Sequence, residues 1–221
     1  MNEREAANPV DTSPTGTDVP EAASADAPRH LTEEIHTSDP DRIRALAHPL
    51  RLQLIDLVQD HGEITASECA ERLGQTVANC SFHLRVLERA GFVERAEQRG
   101  REKPWRSSSR RRHLEPDPES PASVLALAEL ITATLAHISN RFTNYLREHA
   151  AQDDPAWRDA TLLDQSSFWA TAEEAAEVRD ALGKAAAPFL ERRRDPSQRP
   201  EGARLIRLTS LIHPDLSDTT E

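Results

Sequence analysis

The sequence predicts an α+β fold that is mostly α, and three observations carry the prediction. Helix-start and helix-stop residues alternate through residues 39–91. The apolar period changes from helical to alternating just after Gly91, and a heptad-spaced apolar stripe runs from Val124 to Tyr145. Together they place short helices and a β-hairpin ahead of one long helix, with a small strand–helix–strand extension behind it.

The elements follow in order. Residues 1–30 are rich in Pro, Ala, Ser, Thr and acids and nearly free of large apolar side chains, so residues 1–37, up to the first helix-start signal, are expected to form a disordered acidic tail. Asp39-Pro40-Asp41 combines a capping Asp, a Pro at the first helical position and an acid in the first turn; Ile43, Leu46 and Ala47 then share one face. His48-Pro49 starts a second helix carrying Leu50, Leu54, Leu57 and Val58, which ends near His61-Gly62. Glu63-Ile64-Thr65 suits a single bridging strand. Ala66 to Leu73 reads as a compact helix with Cys69, Ala70 and Leu73 inward, stopped by Gly74. Thr76 caps a helix from Val77 to Ala90 with Cys80, Leu84 and Leu87 inward, and Gly91 ends it. Phe92 to Ala96 and Trp105 to Ser107 read as two strands around the charged turn Glu97 to Lys103, with Trp105 turned inward.

Arg110-Arg111-Arg112 and the Pro-rich run from Glu115 to Pro121 read as linker, assigned to residues 114–120 once the first domain is closed at residue 113. Residues 121–150 are expected to form one long helix. Val124, Ala128, Ile131, Leu135, Ile138, Phe142 and Tyr145 step by alternating fours and threes, the spacing of a heptad seam. No second long helix carries a comparable seam, so the expected partner is a second copy; the competing expectation is a helix packed on its own domain. Residues 151–214 are expected to form an α/β extension: a strand from Ala160 to Trp169, a helix begun by the Thr171–Glu174 capping box and running to about Arg193, and a closing strand from Ala203 to Ile212. Ala176, Leu182, Ala186 and Leu190 should face inward on that helix. Residues 215–221 are expected to be a disordered tail.

Composition narrows the function classes. The chain has 221 residues, 27 Lys+Arg against 38 Asp+Glu, and a formal net charge of −11. Hydrophobic residues make up 37% of it, below the roughly 45–50% of an ordinary globular domain, in keeping with unfolded tails. No uninterrupted run of about eighteen apolar residues exists, and Asn2-Glu3-Arg4-Glu5 is no signal core, so neither membrane nor export is expected. Two cysteines point to a reducing cytoplasm. The charge is uneven: residues 76–113 carry 10 basic and 4 acidic side chains, net +6. The field within a Debye length, roughly 8–10 Å, matters at a nucleic-acid surface more than the distant total.

Two short helices joined through a Gly and followed by a hairpin make a winged helix-turn-helix. The blocks Asp41-Arg42-Ile43-Arg44-Ala45-Leu46-Ala47-His48-Pro49-Leu50-Arg51, Ala70-Glu71-Arg72-Leu73-Gly74 and Ser81-Phe82-His83-Leu84-Arg85-Val86-Leu87-Glu88-Arg89-Ala90-Gly91-Phe92-Val93 resemble an ArsR-type winged helix-turn-helix transcriptional regulator over residues 38–113. Trp157 to Pro214 resembles the C-terminal extension of one branch of such regulators. The resemblance implies a homodimer on operator DNA, cytoplasmic and nucleoid-associated when bound, that represses and releases DNA on sensing an unknown signal.

The helix from Val77 would lie in the major groove, with Val77, Ala78, Asn79, Ser81, Phe82 and Arg85 outward and His83 near the edge. Asn79 suits adenine edges, Arg85 a phosphate or guanine, Thr76 and Ser81 phosphate oxygens, and Phe82 a thymine methyl. Contact with the wing is the competing role for Phe82 and His83. Arg99, Arg101, Lys103 and Arg106 on the hairpin form the expected phosphate clamp.

No metal or other cofactor is expected. A Cys-x-Cys pair used in that family is replaced here by Thr65 and Ser67, and His137 and His149 stand twelve apart on the long helix, with Leu135 where an acid would be wanted and no good carboxylate expected beside them. Cys69 and Cys80 fall on inward faces of adjacent helices, as small buried residues or a redox pair. No catalytic motif is present, and Ser166-Ser167 after Asp164 lack a base, so no enzyme is expected. The alternatives are a metal- or redox-responsive repressor, or a winged module that binds protein rather than DNA.

Overall fold

The computed structural model describes residues 32–98 and 102–215. The first strand, β1 (Thr32–Thr37), leads into α1 (Pro40–Arg44), where the Asp39 carboxylate accepts from the Asp41 N–H at 2.9 Å. The next helix, α2 (Pro49–His61), begins at His48, whose Nδ1 accepts from the Leu50 N–H at 3.2 Å. After Gly62 come the two-residue strand β2 (Glu63–Ile64) and α3 (Ala66–Leu73). A complete capping box opens α3, with the Glu68 N–H on the Thr65 hydroxyl at 3.2 Å and the Thr65 N–H on the Glu68 carboxylate at 2.7 Å. Gly74 closes it at φ 60, a left-handed conformation that costs Gly little and other residues more. The sharp turn before α4 (Val77–Arg89) follows from that geometry.

Strands β3 (Val93–Arg95) and β4 (Trp105–Ser107) form the hairpin, and β2 adds to β4 to complete an antiparallel sheet of order β2-β4-β3. The helices, the bridging strand and the hairpin therefore stand where helix caps and periodicity place them. Trp105, Phe92, Ile43, Leu54, Leu84, Leu87, Cys69 and Cys80 are all buried in one core beneath this sheet. Each large apolar side chain fully buried there contributes about 1.5–3 kcal/mol.

Two boundaries differ from expectation. Residues 32–37, placed in the acidic tail, are a strand, and Arg110–Arg112, read as linker, lie within β5 (Ser109–Leu114). These strands pair in parallel, with His36 opposite His113 and Thr37 opposite Leu114. The whole winged unit separates the two partners in sequence, so neither segment alone shows the alternation of a half-buried strand. Ile35 and Leu114 are the apolar residues that attach the pair to the core.

The long helix α5 (Pro121–Glu148) starts at the expected residue and ends two residues short of the expected residue 150. It docks on α1 and α2 through Ala126 and Leu130, which are buried, and through Leu127 and Ala133. The buried Ser123 hydroxyl donates to the Ser38 carbonyl at 2.6 Å and accepts from the Asp117 N–H at 2.9 Å, pinning the start of α5 to the segment before α1. Farther along, the Asp56 carboxylate of α2 accepts from His137 Nε2 at 2.8 Å and from Arg141 at 2.6 Å. By length and composition α5 is apolar enough to cross a bilayer, with an 18-residue mean hydropathy of 1.5, although charged residues interrupt every long apolar run. The face bearing this ion-pair cluster is instead seated on protein. Next to it the seam residues Val124, Ala128, Ile131 and Leu135 are exposed, while Ile138, Phe142 and Tyr145 are half-buried.

The extension departs most from expectation. A short helix, α6 (Pro155–Asp159), precedes α7 (Ala172–Arg194), which starts at the expected Thr171–Glu174 capping box. Neither Ala160–Trp169 nor Ala203–Ile212 is a strand: among the described residues both run without a ladder. Apolar content mimicked strands, but a strand also needs a partner for its N–H and C=O groups. On α7, Ala176, Leu182 and Ala186 are half-buried as expected, whereas Leu190 is exposed. The extension is therefore helix plus extended chain rather than strand–helix–strand.

Candidate nucleic-acid interface

The outer face of α4 is built by its spacing. Ala78, Phe82, Arg85 and Arg89 follow one another at four, three and four residues, so they line one stripe, and all four are exposed. Phe82 stands 54% exposed, a large apolar side chain in water at the centre of that stripe. Val77 is also exposed, and Ser81 and Asn79 are half-buried beside it. Arg89 was missed by sequence reasoning because it closes the helix; its step of four from Arg85 was the available signal.

The N-terminal end of α4 is polar and ordered. The Thr76 hydroxyl accepts from the Asn79 N–H at 3.1 Å, which leaves its O–H able to donate. The Asn79 amide donates from Nδ2 to the Gln75 Oε1 at 3.0 Å. Gln75 was not foreseen as a site residue, yet it places a second amide beside Asn79, and both side chains are of the type that pairs with adenine edges.

His83 does not join this face. Its ring is buried, lies 4.5 Å from the ring of His48 between centroids, and meets the edge of Phe82 at 5.2 Å. The correction has a simple cause: position 83 lies one step from the buried Leu84 and Leu87 side of α4, so the imidazole turns toward α2 rather than toward solvent or the wing. Burial holds the His83 pKa below the ordinary imidazole value, and His48 and Arg51 lower it further.

The wing splits the expected clamp. Lys103 is exposed. Arg106 is not available in the same way, because its guanidinium is committed to Glu94 opposite it in the ladder, Nε at 2.8 Å and the terminal nitrogen at 2.7 Å from one carboxylate oxygen. Cross-strand register, invisible in a linear sequence, decides that pairing. Arg99 and Arg101 lie outside the described residues. Arg95, not singled out before, lies 3.6 Å from the Trp105 ring centre and donates to the Lys103 carbonyl at 2.8 Å, bracing the hairpin stem. The Ser67 hydroxyl donates to Glu102 at 2.6 Å and ties the wing to α3.

The alternative sensing chemistries fare differently. Cys69 and Cys80 are both fully buried, and burial pushes the Cys69 thiol up to about 12 and raises Cys80 as well. At neutral pH neither offers a thiolate, the form that attacks oxidants or binds soft metals. The expectation that His137 lacks a carboxylate is corrected: Asp56 comes from α2, a helix remote in sequence. Arg141 on the same carboxylate oxygen already supplies its positive charge.

Residues 46–96 match a helix-turn-helix domain family. No curated protein matches the chain. One similar solved structure is the homodimeric winged helix-turn-helix DNA-binding domain, fragment 1–100, of a possible ArsR-family transcriptional regulator from Mycobacterium bovis. It is 24% identical and covers 42% of this chain and 76% of that one, with a TM-score of 0.30. Over residues 46–96 the chain is thus similar to a helix-turn-helix domain, and the β2-β4-β3 sheet beside that segment gives it a winged form.

Proposed function

We propose that the protein is a dimeric, sequence-specific DNA-binding regulator of ArsR type that represses transcription and releases its operator in response to a signal. The observation that carries the reading is the α4 stripe: Ala78, Phe82, Arg85 and Arg89 exposed together, with the Asn79–Gln75 amide pair at the helix start. A major groove admits such a helix. The arginines supply phosphate or guanine contacts, the amides adenine contacts, and Phe82 an apolar surface for a thymine methyl. Lys103 on the wing adds a cation beside the duplex, and Thr76 a hydroxyl for a phosphate. The exposed half of the α5 seam supports the dimer, which would place two recognition helices about 34–36 Å apart, or a multiple of that.

Selection of bound fragments from random duplex DNA tests this directly. The expected result is a two-fold related site with half-sites centred one or more helical turns apart. Transcription from a promoter carrying that site should fall when the protein is added. Enrichment of no sequence at modest ionic strength would leave the protein-binding alternative standing.

A further inference from the structure

We propose that His36, His113 and Glu115 form a binding site for a divalent ion of borderline softness, Zn²⁺ foremost, that clips β1 to β5. The site is separate from the α4 face and from the two places where a metal was sought in the sequence. Its basis is the parallel ladder: His36 and His113 are register partners, so their side chains leave the strand pair at the same level. Their ring centroids lie 5.1 Å apart and the rings are tilted by 44°, so they meet at an angle rather than stacked flat. Glu115 follows His113 by two residues, and the ladder continues to it through its N–H on the Thr37 carbonyl at 3.4 Å. Its Oε2 is 3.4 Å from His113 Nε2. One donor atom from each of the three residues lies within 4.8 Å of the other two.

These distances suit a tetrahedral ion. Ligands about 2.0–2.1 Å from Zn²⁺ stand about 3.3–3.4 Å from one another. The His113–Glu115 pair already has that spacing, and a ring nitrogen of His36 lies within 4.8 Å of both donors. Two imidazoles and one carboxylate are ligands for Zn²⁺, Co²⁺ or Ni²⁺; with no thiolate they do not favour Cu⁺, and with two nitrogens they do not favour Ca²⁺ or Mg²⁺. All three residues are exposed, so water can take the fourth position.

The clip would matter because of what the two strands connect. A two-stranded pair alone is marginally stable, so one cross-link is a large fraction of what holds it. β1 runs into Ser38, whose carbonyl accepts from Ser123, and β5 runs into Asp117, whose N–H donates to the same Ser123 hydroxyl. An ion at His36 and His113 therefore fixes the two chain segments that seat the start of α5, the helix bearing the exposed seam.

The test is titration of the full-length, chelator-stripped protein with Zn²⁺ by calorimetry and with Co²⁺ by its visible d–d absorption. One ion per protomer is expected, with tetrahedral Co²⁺ bands. His36→Gln and His113→Gln should each weaken binding by about tenfold or more, while His149→Gln leaves it unchanged. Circular dichroism of each variant shows that the fold is kept. A wild-type protein that takes up no stoichiometric Zn²⁺, or a folded His36→Gln/His113→Gln double variant that binds it as tightly as wild type, overturns the proposal. DNA selection does not involve these residues, so failure here is distinct from failure of the regulator reading.

Discussion

The winged domain and the C-terminal extension are written with the same apolar residue types and use them in opposite ways. In the winged domain Leu84, Leu87, Phe92 and Trp105 are fully buried. In the extension Leu163 is 82% exposed, Ile206 67% and Trp169 99%. The first region closes a core because caps, glycine turns and a three-stranded sheet satisfy its backbone while its side chains meet. The second has helix caps but no ladder, so its apolar side chains have little to pack on within the protomer. That leaves apolar surface open at Leu163, Trp169 and Ile206. Part of the extension reaches α5, where Thr209 and Leu211 line an apolar groove of about 160 Å³ with Ile131, Leu135 and Ile138.

The largest expected difference between the regions is in stability. Leu84→Ala should cost about 2–5 kcal/mol, because it leaves a cavity in a closed core. Trp169→Ala should stay within about 0.5 kcal/mol in dilute protein, since that side chain gives up almost no burial. Urea unfolding of the two variants checks this, and a large loss at Trp169 would mean that the extension is already packed, in a dimer.

The seam comes next. Leu135→Asp with Ile138→Asp should give monomers by analytical ultracentrifugation and weaken operator binding about a hundredfold, or roughly 2.8 kcal/mol. A stable dimer in that variant would show that these residues serve only the intramolecular groove with Leu211.

Within the face proposed for DNA the comparison becomes finer. Asn79→Ala should cost about 1–3 kcal/mol of discrimination at one base position. Lys103→Ala should weaken binding to all sequences alike and lower the salt slope by about 1. Arg106→Ala, although equally basic on paper, should leave the salt slope nearly unchanged and instead loosen the hairpin, because Glu94 loses its partner.

What the sequence disclosed follows from the range of each interaction. The Thr65–Glu68 box, the Gly74 stop and the Thr76 cap act within a few residues, and the helices they bound are where local chemistry puts them. The shared exposed face of Ala78, Phe82 and Arg85 was legible for the same reason, as steps on one helix. The β1–β5 ladder, the Arg106–Glu94 pair and the Asp56–His137 pair join residues far apart in the chain, and no local pattern announces them. His83 lies between these cases: it sits at the edge of an amphipathic helix, and only the approach of His48 from α2 decides that it faces in.

The smallest expected effect is a pH dependence confined to that contact. Burial is the first cause lowering the pKa of both His48 and His83, with Arg51 adding to each and His48 adding to His83. His48 Nδ1 must also be unprotonated to accept from the Leu50 N–H. The unfolded chain therefore binds these protons first, and stability should rise with pH wherever it does so. The contribution is complete above about pH 6.5, the ordinary imidazole value, and is lost as pH falls from there through the lowered folded values. Carboxylates such as Glu68, also lowered, act in a separate and more acidic window. Urea midpoints at about pH 7.5 and about pH 5.5 should differ in wild type. His48→Asn, which keeps a capping acceptor without a titrating ring, should shrink the difference. Because His83 seats α4 against α2, the same acid range should loosen α4, seen as a loss of amide protection along α4 between about pH 7.5 and about pH 5.5 that is smaller in His48→Asn.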